Sequence, residues 1–211
     1  GHDFGLAIIA LTILIRLILY PFGVKAILSQ RAMADLQPKI QEIQQKHKED
    51  KTKQTQALME LYKKAKINPF SGCLPLLVQL PILIALYQLF WKGFQPEQMT
   101  YLYGFVQNPG QIDTGFLGII NLAKPYVFFA IFAGVLQFFQ TKMTLPKNQN
   151  SNPRPKTPQF NAMFQKQMLY FFPAFTVLIL WNLPSAIGLY WSATTLISIL
   201  QQYLILKNYP S

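Results

Sequence analysis

The sequence predicts an all-α integral membrane protein: five transmembrane helices, N-terminus out and C-terminus in, with a helical hairpin standing in the cytosol. Three observations carry that prediction. Only 13% of the 211 residues are charged, about half the share in an ordinary soluble domain. The charges are segregated: residues 67–91 and 125–141 have none, and 167–206 are forty consecutive uncharged residues. Lys and Arg are also lopsided, with sixteen in segments 23–66, 142–166 and 207–211 against two in 92–124. The positive-inside rule puts the rich side in the cytoplasm.

The first segment, 1–22, contains a run from Phe4 to Phe22 whose only charge is Arg16. It lacks the basic start and small-residue cleavage site of a signal peptide, so it reads as a transmembrane helix. The chain opens on Gly1 rather than Met, and the expectation is that an upstream piece has been removed. Segment 23–66 repeats apolar residues at helical spacing: Met33, Leu36, Ile40 and Ile43, then Leu58, Leu61 or Tyr62, and Ala65. Between them "HKEDKT" breaks the pattern, with Asp50 or Thr52 as a helix cap, and Pro38 should bend or restart the first arm. The result is a hairpin with narrow apolar seams. It is either a solvated connector or a docking surface for anionic lipid or ribosomal RNA.

Segment 67–91, apolar from 72, is the second span, with Cys73 packed at its inner end. The outer loop, 92–124, includes "FLGIINLA" (116–123), an apolar stretch expected to form an interfacial helix. Residues 125–141 form a short third span, with Pro125 in its first turn and Lys124 and Lys142 bracketing it. The segment 142–161 contains "TLPKNQNSNPRPKTPQ", proline-rich and free of aromatics, and reads as a disordered cytoplasmic tether. The long uncharged block divides at Asn182-Leu-Pro184-Ser185 into spans 162–182 and 186–206, followed by a short tail, 207–211. Trp91 and Trp181 fall at the outer interface, where aromatic belts form.

Within the spans, polar residues gather toward the cytoplasmic half. Thr12 and Arg16 lie one turn apart on one face. Gln79 sits in the inner half of span 2, and Gln137 and Gln140 near the inner end of span 3. Trp191, Thr194, Thr195, Ser198, Gln201 and Gln202 form a stripe along span 5. Groups at that depth face one another or water rather than lipid. The packing that satisfies them is a bundle with a wet, cationic cavity open to the cytosol and sealed outside. Thr176 and Thr194 are expected to bond their own backbone carbonyls, and Gln88 to serve as interhelical glue. Arg16 stands out: an arginine at a span centre costs roughly 2.5–3.5 kcal/mol, and no span contains an Asp or Glu to offset it.

An enzyme is not indicated. The two histidines, His2 and His47, lie outside the spans, Cys73 is the single cysteine, and no nucleophile–base pair, carboxylate pair or phosphate loop is present. No cofactor or metal is called for.

Five stretches nonetheless carry a resemblance across nearly the whole chain. "ALTILIRLILYPF", "MADLQPKIQEIQQKHKED", "INPFSGCLPLLVQLPILIALYQLF", "AGVLQFFQTKM" and "LPSAIGLYWSATTLISILQQYLI" resemble, in order and spacing, the YidC/Oxa/Alb family of membrane-protein insertases. The resemblance implies a five-span core with a cytoplasmic hairpin and a hydrophilic groove open to cytosol and lipid. Arg16 matches the family's groove arginine, Thr12 the groove residue one turn before it, Gln140 a groove glutamine, and Trp191 an aromatic position beside the incoming substrate. Together with Gln79, Thr195, Ser198 and Gln202, these make the expected substrate-binding groove. The expected form is a short one without a large extracytoplasmic domain, in the bacterial cytoplasmic membrane. Its partners would be nascent membrane proteins and the lipid bilayer, with the ribosome and the Sec translocon as further candidates and no DNA. An anion channel or transporter using the intramembrane arginine, and a purely structural subunit, are the rival readings.

Overall fold

The computed structural model describes residues 3–68, 74–92, 113–145 and 167–207. Cys73, His2 and the greater part of the expected tether lie outside these residues, as does the side chain of Trp91.

Helix α1 (Phe4–Ile18) starts where Asp3 accepts the Leu6 amide at 2.9 Å, satisfying one of the orphan donors of its first turn. It does not run on to Phe22 as one straight span. At Leu19 the chain bends by 68° into α2 (Tyr20–Asp35). Pro21 explains the break, since it has no amide to continue the ladder and disfavours helical backbone at the residue before it. Pro38 acts similarly: α2 stops at Asp35 and α3 (Gln37–Lys46) restarts with proline at its second residue. Helix α4 (Lys51–Lys64) is capped by Asp50, which accepts from the amides of Thr52 at 3.1 Å and Lys53 at 3.0 Å. The arms α3 and α4 pair as a hairpin, joined by the Gln54 amide to the Gln44 carbonyl at 3.1 Å. Its seam is thin, with Ile40 buried and Ile43, Leu58, Leu61 and Tyr62 only half-buried.

Among the described residues, helix α5 (Leu74–Lys92) touches α8 and α2 over short stretches. The expected interfacial helix at 116–123 is not formed. Instead β1 (Gly115–Phe116) pairs antiparallel with β2 (Ile120–Asn121) around a turn whose central residues, Leu117 and Gly118, have φ of 53° and 69°. Two positive φ values in succession define a tight hairpin turn and cannot propagate a right-handed helix. Asp113 and Asn121 hold the approaches by accepting backbone amides of Gly115 and Ala123. Apolar composition alone had suggested a helix; the turn chemistry decides against it.

Helix α6 (Val127–Thr144) overruns the expected third span and takes in the first residues of the expected tether. The fourth apolar segment opens with a π-helical turn, Gln167–Phe171, and continues as α7 (Phe172–Leu180). Pro173 cannot donate to the carbonyl one turn back, and the turn before it widens. The break at 181–184 falls where Asn182 and Pro184 predict it, and α8 (Ser185–Lys207) follows.

Helix α8 is the hub, packed chiefly on α6 and α1 and also on α2 and α5. Glycines allow the close approaches. A Cβ at Gly188 would lie 2.9 Å from the Phe129 Cβ on α6, and one at Gly134 would meet Val177 and the Pro173 carbonyl on α7. The apolar core centres on Ile8, Phe129, Ala133, Leu180, Ile187 and Tyr190.

The distribution of polarity is inverted relative to a water-soluble domain. Leu17, Ile18, Phe128, Leu178, Leu200 and Leu204 are more than 60% exposed, while Thr12, Ser192, Thr195 and Gln202 are at most 4% exposed. Such an interior suits a chain whose surroundings are hydrocarbon. Among the described residues α6 alone is long and apolar enough to cross a membrane by itself, and α1 with α2 does so as a bent pair. Helix α8 has 23 residues, ample length, but its hydroxyls and glutamines dilute its apolar character.

Candidate functional site

Arg16 is the third-from-last residue of α1, just under one turn before the bend at Leu19. Its guanidinium reaches across to α8, donating to the Thr194 carbonyl at 3.1 Å. That carbonyl also accepts from the Ser198 hydroxyl at 2.9 Å. Among the described residues Arg16 has no carboxylate partner; the ion pairs found there are Arg31–Asp35 and Lys53–Asp50 in the hairpin region. The charge is thus oriented by a dipole and left unneutralised.

Beside it lies a cavity of about 80 Å³, lined by Thr12, Ile15, Arg16, Leu19, Val78, Gln79, Tyr190 and Thr194 among others. Its volume holds a few water molecules, and its polar groups give them partners. The Gln79 amide donates to the Tyr190 hydroxyl at 2.9 Å, bridging α5 to α8 along one wall. Thr12 is 1% exposed, and its hydroxyl donates to the Ile8 carbonyl at 2.7 Å. The Thr194 hydroxyl is buried and finds no partner among the described residues. The expectation that Thr194 bonds its own helix is therefore corrected: its carbonyl serves Arg16 and Ser198, while its hydroxyl is left for water.

Of the residues expected to form the groove, Thr12, Arg16 and Gln79 meet at this cavity. Trp191 sits one residue off the lining, half-buried against the apolar core. Thr195 and Ser198 are buried in α8, each donating to the carbonyl four residues back. The Gln202 amide nitrogen is buried without a partner among the described residues. Gln140 is half-buried on α6, away from the cavity lining, and its carbonyl accepts from Thr144. Gln137 is engaged elsewhere: its side-chain oxygen accepts the Thr176 hydroxyl at 2.6 Å, tying α6 to α7. Thr176 was expected to bond its own backbone, and this cross-helix bond replaces that reading. Gln201 donates to the Tyr20 carbonyl at 3.3 Å and packs on Gly23, holding the first turn of α2 against α8.

Tyr190 is the residue that sequence reasoning passed over in favour of Trp191. Spacing does not single it out: Thr194, Ser198 and Gln201 fall at helical spacing from Tyr190 and Trp191 alike.

The opposite end of the bundle is closed by different means. Ser185 donates to the Lys124 carbonyl at 2.7 Å and accepts from the Tyr126 amide at 2.7 Å, while the Ala186 amide bonds the Leu122 carbonyl at 3.1 Å. Leu122 is fully buried. The turn of the β-hairpin gives the Leu117 amide to Asp3 at 2.5 Å, and Phe116 covers Gly5.

Fold and site together define a helical membrane protein with a greasy exterior and an unneutralised arginine beside a small polar cavity. The family model described as 60Kd inner membrane protein matches residues 1–211, and the chain belongs to that family. A "Membrane protein insertase YidC" from Fusobacterium nucleatum is 34% identical over 206 residues, 98% of this chain and 87% of its own length. Proteins of the same name from Francisella philomiragia and Actinobacillus pleuropneumoniae are 32% and 35% identical, and the chain spans about a third of their length. A solved structure described as active YidC insertase with the first transmembrane domain resolved covers the whole chain and 43% of its own, at TM-score 0.60 and 30% identity. Membership places the chain in the bacterial inner membrane as a multi-pass protein, and the relatives support membrane-protein insertion, which is not an enzymatic reaction, as its work.

Proposed function

We propose that this chain moves nascent membrane proteins from the cytosol into the bilayer through a hydrophilic groove centred on Arg16. The supporting observation is the unneutralised guanidinium at the wall of a polar cavity, inside a molecule whose exposed face is apolar. In this reading five spans cross the membrane: α1 with the start of α2, α5, α6, the π-turn with α7, and α8. The α3–α4 hairpin lies in the cytoplasm and the β-hairpin outside. Arg16 is twelve residues into α1, about 18 Å from its outer start at ~1.5 Å per residue. The barrier to a polar tail is a hydrocarbon layer about 30 Å thick. A hydrated pocket reaching Arg16 from the cytosol shortens that path by roughly a third or more. The tail's adjoining apolar segment leaves into lipid, and burying about twenty such residues supplies the driving free energy. Nascent chains and lipid are the partners; the Sec translocon and the ribosome are candidates that the same vesicles can test by addition.

The cation sets the preference. An aspartate entering the pocket is attracted by more than the ~1 kcal/mol of a 4 Å pair in bulk water, and a lysine is repelled comparably. The test is reconstitution with one single-span client whose tail carries Asp, then Asn, then Lys, scored by protease protection. Yields should fall in that order, and Arg16→Ala should flatten the series while Arg16→Lys keeps it. Equal yields in the parent protein would refute the electrostatic reading. Anion flux through the same vesicles, without insertion, would favour the channel alternative.

A further inference from the structure

A second concavity lies away from Arg16, between α6 and the fourth apolar segment. It is a trough of about 410 Å³ with an apolar lining. Ile131, Val135, Phe138 and Phe139 form one wall, and Tyr170 and Ala174 the other. Its floor is low because Gly134, Pro173 and Val177 bring α6 and α7 into close contact there. Phe138 and Tyr170 pack with ring centroids 5.8 Å apart, flanking the trough toward the C-terminal end of α6. Ile131, Val135 and Phe139 are each about half exposed, and Tyr170 more so, so the described residues leave the trough open.

The stripe along α6 has one more member. Positions 131, 135, 138 and 139 continue at three- and four-residue spacing to Lys142, which is exposed and has no carboxylate partner among the described residues. Along this face an apolar stripe therefore runs to a cation without a carboxylate partner among the described residues. At a water-sized share of about 30 Å³ per group, the space admits roughly a dozen methylene-sized groups. A packed helix, about 10–12 Å across with its side chains, does not fit. A single hydrocarbon chain does, and a negative headgroup would meet the lysine.

We propose that this trough binds one acyl chain of an anionic phospholipid, with Lys142 holding the headgroup. The lipid fills the groove that Gly134 and Ala174 leave and completes the α6–α7 surface. That the lipid belongs to the cytoplasmic leaflet rests on the proposed topology; its presence in the trough does not.

The purified full chain is incubated with equal parts dioleoyl phosphatidylglycerol and dioleoyl phosphatidylcholine, and retained lipid is counted by native mass spectrometry. The wild-type protein should hold one lipid, with phosphatidylglycerol favoured about fivefold, the ratio that corresponds to ~1 kcal/mol for one lysine at a lipid surface. Ala174→Phe, an exposed position within the trough, should remove that lipid of either type. Lys142→Gln should keep a lipid and bring the two types to near parity. Wild-type retention in Ala174→Phe, or unchanged preference in Lys142→Gln, would overturn the proposal. So would a photocrosslinker at position 139 that captures a client helix and no lipid. A bound lipid whose headgroup is quenched from outside would uphold the trough and refute the topology.

Discussion

The hydrogen bond from Gln79 to Tyr190 is the sharpest point at which the site can be perturbed without disturbing the fold. Tyr190 is 2% exposed, and its ring belongs to the apolar core. Tyr190→Phe preserves that packing and deletes only the acceptor that Gln79 reaches at 2.9 Å. Among the described residues α5 meets α8 and α2 over short stretches, so this bond should bear directly on how often α5 parts from α8. Interhelical hydrogen bonds in membranes average about 0.6 kcal/mol and reach about 1.7 kcal/mol. In an equilibrium these limits are roughly threefold and eighteenfold. The Gln79 amide faces a cavity with room for water and can find a new partner there, so the lower half of the range applies, about three- to tenfold. Amide hydrogen exchange along residues 77–89 should accelerate by that factor, while exchange in α6 and along the α6–α8 seam stays unchanged. Gln79→Leu should do the same, and the double variant should add little to either single change. Unchanged exchange in α5, or equal acceleration everywhere, would show that the bond does not hold the wall of the cavity.

Thr176→Val should leave the Gln137 oxygen unpaired at the α6–α7 seam and destabilise the folded protein by about 1–2 kcal/mol, with Gln137→Leu restoring most of it when the two are combined; detergent-denaturation midpoints measure the cycle. Gly188→Leu should force α6 from α8 at Phe129 and lose about 1–3 kcal/mol as an overpacked contact, visible as a lowered Tm in micelles. The Asp50 carboxyl is held below its usual 3.8, first by the Lys53 amide, then by the Lys53 side chain and the Thr52 amide. A depressed carboxylate stabilises above the unfolded value, so the first turn of α4 should be intact above about pH 4 and fray as pH falls through the folded value. Amide chemical shifts of Thr52 and Lys53 report this, and Asp50→Asn should keep the cap and abolish the pH dependence.

What was legible in the sequence was whatever is written in local order. The cap at Asp50, the restart at Pro38 and the break at Asn182–Pro184 each depend on a few neighbouring residues, and each stands where the sequence predicts. Arg16, Thr12 and Gln79 were legible for the opposite reason: a polar group in an apolar run is conspicuous whatever it touches. The 68° bend at Leu19 was marked by Pro21 but masked by the uncharged run around it. At 116–123 hydrophobicity outweighed Gly118, although a glycine between aspartate and asparagine signals a turn. Pairings between distant residues were hidden altogether. Tyr190 meets Gln79 across 111 positions, and Thr176 meets Gln137 across 39. No periodicity announces which of two adjacent aromatics, Tyr190 or Trp191, turns its edge toward the cavity.

The fastening at Ser185, Leu122 and Asp3 makes the molecule a pair of tongs riveted at one end. Helices α1 and α8 are joined at one end through the β-hairpin, while at the other end Arg16 holds α1 to α8 by a single bond of 3.1 Å and Gln201 holds the start of α2 by one of 3.3 Å. Helix α1 has 15 residues, a lever of about 22 Å. A tilt of about 10° about the riveted end would part the far ends by about 4 Å on such a lever, close to the width of an extended chain. The riveted end would hardly move. In the proposed topology, such a tilt would open the cytosolic end while the pivot keeps the outer end sealed, and a client tail would never find both ends open together.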